Sequence, residues 1–146
     1  MISRALQAFS AGIVQKGNLE AEDLRRLREQ VLPFGLTTRE EADTLIALER
    51  AIPDGTELLG SYLLAEVVNL AVWGERPTGY VSPDTAQWLI ATLSCGTGPT
   101  RLALRIAFEV VREAQRADEA LVAFVLRSAP ERLAAARPVA EHLLGR

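Results

Sequence analysis

Apolar residues recur along most of this chain at intervals of three and four, the spacing that places them on one face of an α-helix. The first such stripe consists of Ile2, Leu6, Phe9 and Ile13, and Gly17 follows it as a helix-ending glycine. No stretch alternates apolar and polar residues over the length of a strand. The chain is therefore predicted to be all-α, with at most short extended contacts between its turns.

Seven helices, with an eighth short one near the end, account for this pattern. The predicted spans are about 2–15, 20–32, 37–52, 57–73, 82–93, 99–115 and 118–126, and a capping sequence at 128–131 begins a tail. We expect a single compact domain over residues 1–146, orthogonal or bundle-like in its packing, with the tail from about residue 130 at its periphery.

The fourth span is apolar around nearly its whole circumference, which is typical of a helix at the centre of a domain or in a membrane. Glu57, Glu66 and Asn69 interrupt the apolar run, and the span is short for a membrane crossing of about 20 residues. It is therefore predicted to be the central helix of the domain.

One short phrase occurs three times: a glycine, an aliphatic residue close behind it, a helix-capping residue, and then an acid or a hydroxyl. The copies are Gly17–Asp23, Gly35–Glu40 and Gly79–Thr85, the second being one residue shorter. In the second copy Thr37 and Glu40 have the spacing of a capping box, so Thr37 is predicted to cap the third helix. The repeats predict similar turns that join successive helices.

The first copy also has the glycine, aliphatic and carboxylate spacing of a calcium-binding helix-loop-helix. The upstream ligand positions would fall on Gly12, Val14 and Lys16, whose side chains supply no oxygen. The phrase is therefore interpreted as a turn and cap, and no metal site is predicted.

Acidic residues cluster at the starts of two predicted helices. The helix dipole stabilises such carboxylates by about 0.3–1 kcal/mol each, which accounts for them without a function. The alternative is an acidic patch for a cation or a basic partner, if the two turns lie side by side. The patch would consist of Glu20, Glu22 and Asp23 together with Glu40, Glu41 and Asp43.

Two polar residues, Glu66 and Asn69, lie one turn apart on the apolar fourth span. A buried charge needs a partner, and an arginine such as Arg105 is the expected one for a buried ion pair. The alternative interpretation makes the two residues the polar floor of a ligand pocket.

Three aromatic residues, Trp73, Tyr80 and Trp88, flank the third turn. They are interpreted as packing the joint between helices. Because Trp and Tyr are enriched in binding hot spots, the alternative is an exposed anchor for a partner.

No catalytic constellation is evident. Cys95 lies beside glycines, and the only histidine, His142, lies in the tail, with nothing in the sequence to bring them together. No paired metal-ligand spacing or phosphate-binding loop occurs. The sequence predicts no catalytic residue and no cofactor, and an enzyme with Cys95 as nucleophile is the distant alternative.

Composition and charge limit the classes of partner and the cellular compartment that we expect. The chain has 146 residues, a net charge of −3 and one cysteine, so a disulfide within the chain is excluded and a nucleic-acid partner is disfavoured. No signal peptide is predicted at the N-terminus, and we expect a cytoplasmic protein without a membrane span. Lys16 is the only lysine beside many arginines, a bias typical of GC-rich bacterial genomes.

The helix count and the glycine turns resemble the TerB-like family of helical bacterial proteins, which is associated with tellurite resistance and stress responses. The similarity covers about residues 1–125, and the most similar run is Thr38–Leu45. The family's turn usually begins with Asp-Gly, whereas this chain has Lys16, Phe34 and Thr78 before the glycines. The resemblance therefore implies the fold and a non-enzymatic binding role, and no metal site.

These observations predict a non-enzymatic protein that binds another protein, in a stress response if the resemblance holds. A homo-oligomer is compatible with them. The alternative is a small-molecule or cation-binding module that uses the acidic helix starts or Glu66 and Asn69.

Overall fold

The computed structural model describes residues 2–52, 56–96 and 98–128 and confirms the all-α prediction. Seven α-helices lie within these ranges: α1 (Arg4–Lys16), α2 (Ala21–Arg26), α3 (Arg39–Ala51), α4 (Thr56–Val68), α5 (Pro83–Leu93), α6 (Arg101–Glu113) and α7 (Glu119–Ser128). The capping sequence at 128–131, the tail and His142 lie beyond or at the edge of the described residues. No helix within the described ranges is long and apolar enough to cross a membrane.

The core is built around α4, which packs against α3 and α6 and also contacts α2. Leu59, Leu63 and Val67, spaced by four, are fully buried on this helix. Leu58 is 41% exposed, so one face of α4 reaches solvent even though its sequence is apolar almost all round. The helices α5, α6 and α7 pack against one another and complete the domain.

Two helices pass into π-helical turns where unbroken α-helix is predicted. The first, Leu27–Val31, continues α2 and ends with the Leu32 amide donating to the Leu27 carbonyl at 2.7 Å. The second, Asn69–Gly74, continues α4. Such i→i+5 turns are rare and occur often at functional sites.

The three repeated turns share one backbone feature. Their glycines are all left-handed, a conformation that costs other residues free energy, and the aliphatic residue that follows each glycine is buried. The glycine φ angles are 90° at Gly17, 75° at Gly35 and 81° at Gly79, and the buried aliphatic residues are Leu19, Leu36 and Val81.

The cap of α3 differs from the prediction by one residue. Thr38, not Thr37, is the N-cap, and its hydroxyl accepts from the Glu41 amide at 3.1 Å. Glu41 in turn accepts from the Thr37 amide at 2.9 Å. In this shorter copy Leu36 is buried directly after the glycine. Thr37 still belongs to the loop, so the helix begins one residue later than predicted.

A short parallel strand pair joins the third turn to the end of α6. Strand β1 (Tyr80–Val81) pairs with β2 (Arg116–Ala117), with Tyr80 opposite Arg116. The Asp118 amide extends the pairing by donating to the Val81 carbonyl at 2.9 Å. This pair is the extended contact that the turn sequences allowed.

Candidate binding surface

The turn between the first π-helical turn and α3 holds an aromatic ring in solvent. Phe34 is 88% exposed, whereas Leu32 and Leu36 on either side of it are buried. The Gly35 amide donates to the Leu32 carbonyl at 3.0 Å, and the Leu36 amide donates to Glu66 Oε1 at 3.1 Å. The backbone under the ring is therefore fixed on both sides.

A cavity of about 350 Å³ lies beside this ring. Both π-helical turns contribute to it, Arg28 from the first and Asn69 from the second. Tyr62 and Glu66 of α4 lie between them. We call this set, Arg28, Phe34, Tyr62, Glu66 and Asn69, the Phe34 surface.

The phenol of Tyr62 is an unused donor within this surface. Its hydroxyl oxygen is buried and has no hydrogen-bond partner among the described residues. Burial, reinforced by the negative charge of Glu66, raises the pKa of Tyr62 to about 12, so the group keeps its proton at neutral pH. A buried hydroxyl without a partner costs free energy of folding.

Glu66 and Asn69 are not both buried, and Glu66 does not form the buried ion pair with Arg105 that the sequence suggested. Glu66 is partly buried, Asn69 is exposed, and the carboxylate is bound by the Leu36 amide rather than by Arg105. Arg105 lines a different cavity with Glu49 and Glu57. The prediction of a buried ion pair with Arg105 was wrong, because Glu66 is only partly buried and its carboxylate accepts from an amide of the second turn.

The three aromatic residues near the third turn have different surroundings. Trp73 is 40% exposed and donates to Glu113 at 3.3 Å, and Tyr80 is half-buried beneath the Arg116 guanidinium. Trp88 is also half-buried and donates to Asp43 at 2.8 Å. Each of them is held by a polar or charged neighbour, in contrast to Phe34.

An ion cluster joins the start of α3 to the third turn. Arg39 donates to both oxygens of Glu75 at 2.7 and 2.8 Å, and it also contacts Thr85 and Asp84. The hydrogen bonds from Arg39 lower the pKa of Glu75, although burial opposes the shift. The guanidinium lies 5.3 Å from the Trp88 ring centroid. These contacts hold the start of α3 against the third turn.

The acidic helix starts are engaged by neighbours within the chain. Asp23 pairs with Lys16 and accepts from the Glu20 amide, which completes a capping box on α2. Glu22 pairs with Arg25. In the second group Glu41 accepts from Thr37 and Asp43 accepts from Trp88, whereas Glu40 is exposed. Over the described ranges no three His, Cys, Asp or Glu side chains are grouped so as to hold a metal ion.

Cys95 is exposed near the end of α5, and its thiol approaches the Ala91 carbonyl at 3.4 Å. His142 falls outside the described residues, so the structure does not test a pairing between the two. The prediction that the chain lacks a catalytic set stays a prediction.

Sequence reasoning did not single out Phe34, Arg28 or Tyr62 as binding residues. One signal was available, since Pro33 and Gly35 enclose Phe34 and mark an aromatic residue at a turn rather than in a helix. Tyr62 offered no signal, because its position on α4 is also typical of a core residue.

No family model, curated protein or solved structure matches this chain. The resemblance to the TerB-like family therefore stays a prediction that rests on the glycine turns.

Proposed function

We propose that this chain is a non-enzymatic binding protein that recognises a partner protein through the Phe34 surface. The observation that carries the proposal is the 88% exposure of Phe34 between two buried leucines. A ring held by a fixed backbone loses little conformational freedom when a partner covers it, which favours affinity.

The shape of the surface favours a protein with an apolar recess. Aromatic side chains bury about 150–250 Å² each, and a projecting phenylalanine buries that area only when a concave partner encloses it. Arg28, Glu66 and Asn69 beside the ring supply donors and acceptors for a polar rim. Under this proposal we also expect the protein to be cytoplasmic and, as the resemblance implies, to act in a stress response.

Photo-cross-linking in the native host tests the proposal. A photoreactive phenylalanine analogue at position 34 is compared with the same analogue at position 126, because Leu126 is also exposed, at 59%, but lies on α7. We expect one predominant cross-linked protein from position 34 and none in common with position 126. A cross-link to a second copy of the chain would identify the partner as the chain itself.

The cross-linked protein is then purified and its affinity measured for Phe34→Ala and Leu126→Ala. We expect Phe34→Ala to weaken binding by about thirtyfold or more, since hot-spot truncations cost about 2 kcal/mol or more, and Leu126→Ala to leave it unchanged. Equal affinities for both variants, with both folded, would refute the proposal.

A further inference from the structure

A second cavity, of about 680 Å³, lies between α3 and α5. On α3 its lining includes Asp43, Ala47 and Arg50, which share one face of the helix because they are three or four residues apart. On α5 it includes Trp88 and Ala91. The volume is within the range of about 300–1,000 Å³ that small-molecule sites occupy.

The wall of the cavity is mainly apolar between its two ends. Carbon atoms form most of its wall between the two charged residues of α3. The residues concerned are Ile46, Ala47, Ala51, Ala91 and Thr92, and the indole of Trp88 stands at one end.

The two ends of the cavity differ in charge and in hydrogen bonding. Asp43 is at one end, and its carboxylate already accepts from Trp88 Nε1 at 2.8 Å. Arg50 is at the other end, seven residues later and therefore about 10 Å along the helix. Its Nη1 is buried and has no hydrogen-bond partner among the described residues.

A guanidinium beside an apolar cavity favours one kind of ligand, although Glu49 on the same helix also interacts electrostatically with Arg50. A carboxylate matches the guanidinium in charge and geometry. The negative charge of Asp43 repels a second carboxylate at the other end, so a dicarboxylate is disfavoured. The apolar wall between the two ends requires an apolar body on the ligand.

We propose that the cavity between α3 and α5 binds a small aliphatic monocarboxylate, with its carboxylate on Arg50 and its chain directed toward Trp88. This site is separate from the Phe34 surface. Its residues and its class of ligand are not used in the protein-binding proposal.

The only cysteine in the chain reports on occupancy, because Cys95 is exposed and lines the same cavity near Arg50. Octanoate is the probe, and 1-octanol is the uncharged control of matched chain length. Labelling of Cys95 by a maleimide is measured against probe concentration at neutral pH. A Trp73→Phe background leaves Trp88 as the only tryptophan, so its fluorescence gives a second readout.

We expect octanoate to slow the labelling saturably and to change Trp88 fluorescence over the same concentration range. Arg50→Met removes the charge and keeps the apolar stem. It should weaken octanoate by about tenfold or more, as loss of a hydrogen bond to a charged group does, and leave octanol unchanged. Arg112→Met is the matched control, because Arg112 is exposed on α6 and pairs with Glu109.

A second variant keeps the test decisive if Arg50→Met fails to fold. Ala47→Phe fills the cavity from an exposed position of α3 and should abolish the effects of both octanoate and octanol. Phe34→Ala should change neither, which separates this site from the protein-binding surface. The proposal is overturned if octanoate gives no saturable effect at millimolar concentration. Equal binding of octanoate by the native chain and by Arg50→Met also overturns it.

Discussion

The second and third turns of this chain share a sequence phrase and a left-handed glycine, yet they present different surfaces. At the third turn, Glu75 is bound by Arg39, and Tyr80 lies in a strand pair beneath Arg116. At the second turn, Phe34 has no such neighbour among the described residues, and it is 88% exposed.

The residue before each glycine accounts for much of this difference. Lys16 precedes the first glycine and pairs with Asp23. Thr78 is exposed at the third, and Phe34 at the second. The shared phrase determines how the chain turns and which aliphatic residue it buries, whereas the residue before the glycine projects outward. A repeated turn can therefore be structural in all its copies and still expose a large apolar side chain in one of them.

The largest expected effect comes from adding a methyl group at Gly35. A left-handed alanine costs about 1–2 kcal/mol at any of the three glycines. At Gly35 the new Cβ would also overlap the Glu66 carboxylate and displace it from the Leu36 amide, at a further cost of about 1 kcal/mol. Urea denaturation of Gly35→Ala should therefore show a loss of about 2–3 kcal/mol.

Gly17→Ala and Gly79→Ala are the matched comparisons for that loss. A Cβ at Gly17 meets open space, and one at Gly79 meets mainly the end of the Gln115 side chain. Both should cost less than Gly35→Ala. Equal losses at all three positions would show that the Glu66 contact does not distinguish the second turn.

The next effect should come from the ion cluster that holds the third turn. Arg39→Met leaves Glu75 partly buried without its charged donor, and we expect a loss of about 2 kcal/mol in the free energy of unfolding. Arg112→Met removes an exposed pair with Glu109 and should cost less than about 1 kcal/mol. Similar values for the two variants would show that the third turn does not depend on this cluster.

The pH dependence of stability should report on the same cluster. Arg39 lowers the pKa of Glu75 below its ordinary value of 4.5 in the folded chain. The resulting stabilisation is complete above pH 4.5 and is lost as the pH falls through the lowered pKa. Glu75→Gln should therefore make the loss of stability below pH 4.5 shallower, measured by denaturation at a series of pH values. An unchanged slope in Glu75→Gln would show that the third turn gains no stability from this carboxylate.

The smallest effect on stability should come from Phe34→Ala. Because the ring is exposed, its removal should change the free energy of unfolding by no more than about 0.5 kcal/mol. A loss above about 1 kcal/mol would mean that the ring contributes to the fold, and the contrast between the two turns would fail.

Much of the fold could be predicted from the sequence because it depends on local rules. The stripe of Leu6, Phe9 and Ile13 predicted α1, and the predicted span 82–93 agrees with α5, which Ser82 caps. The π-helical turns could not be predicted, because a helix of either kind gives a similar apolar spacing over five residues. The cap at Thr100, which accepts from the Ala103 amide at 3.0 Å, was missed beside the glycines of the preceding loop.

The sequence by itself determined the all-α class and the positions of the three turns, since glycine conformation, capping and apolar period act over a few neighbouring residues. It also placed Phe34 between two helix-breaking residues. Only the tertiary structure decided that Glu66 receives the Leu36 amide, that Tyr62 keeps a free hydroxyl and that Arg50 faces an apolar cavity. Those relations join residues on different helices, and the packing of the helices, rather than any local rule, sets the distances between them.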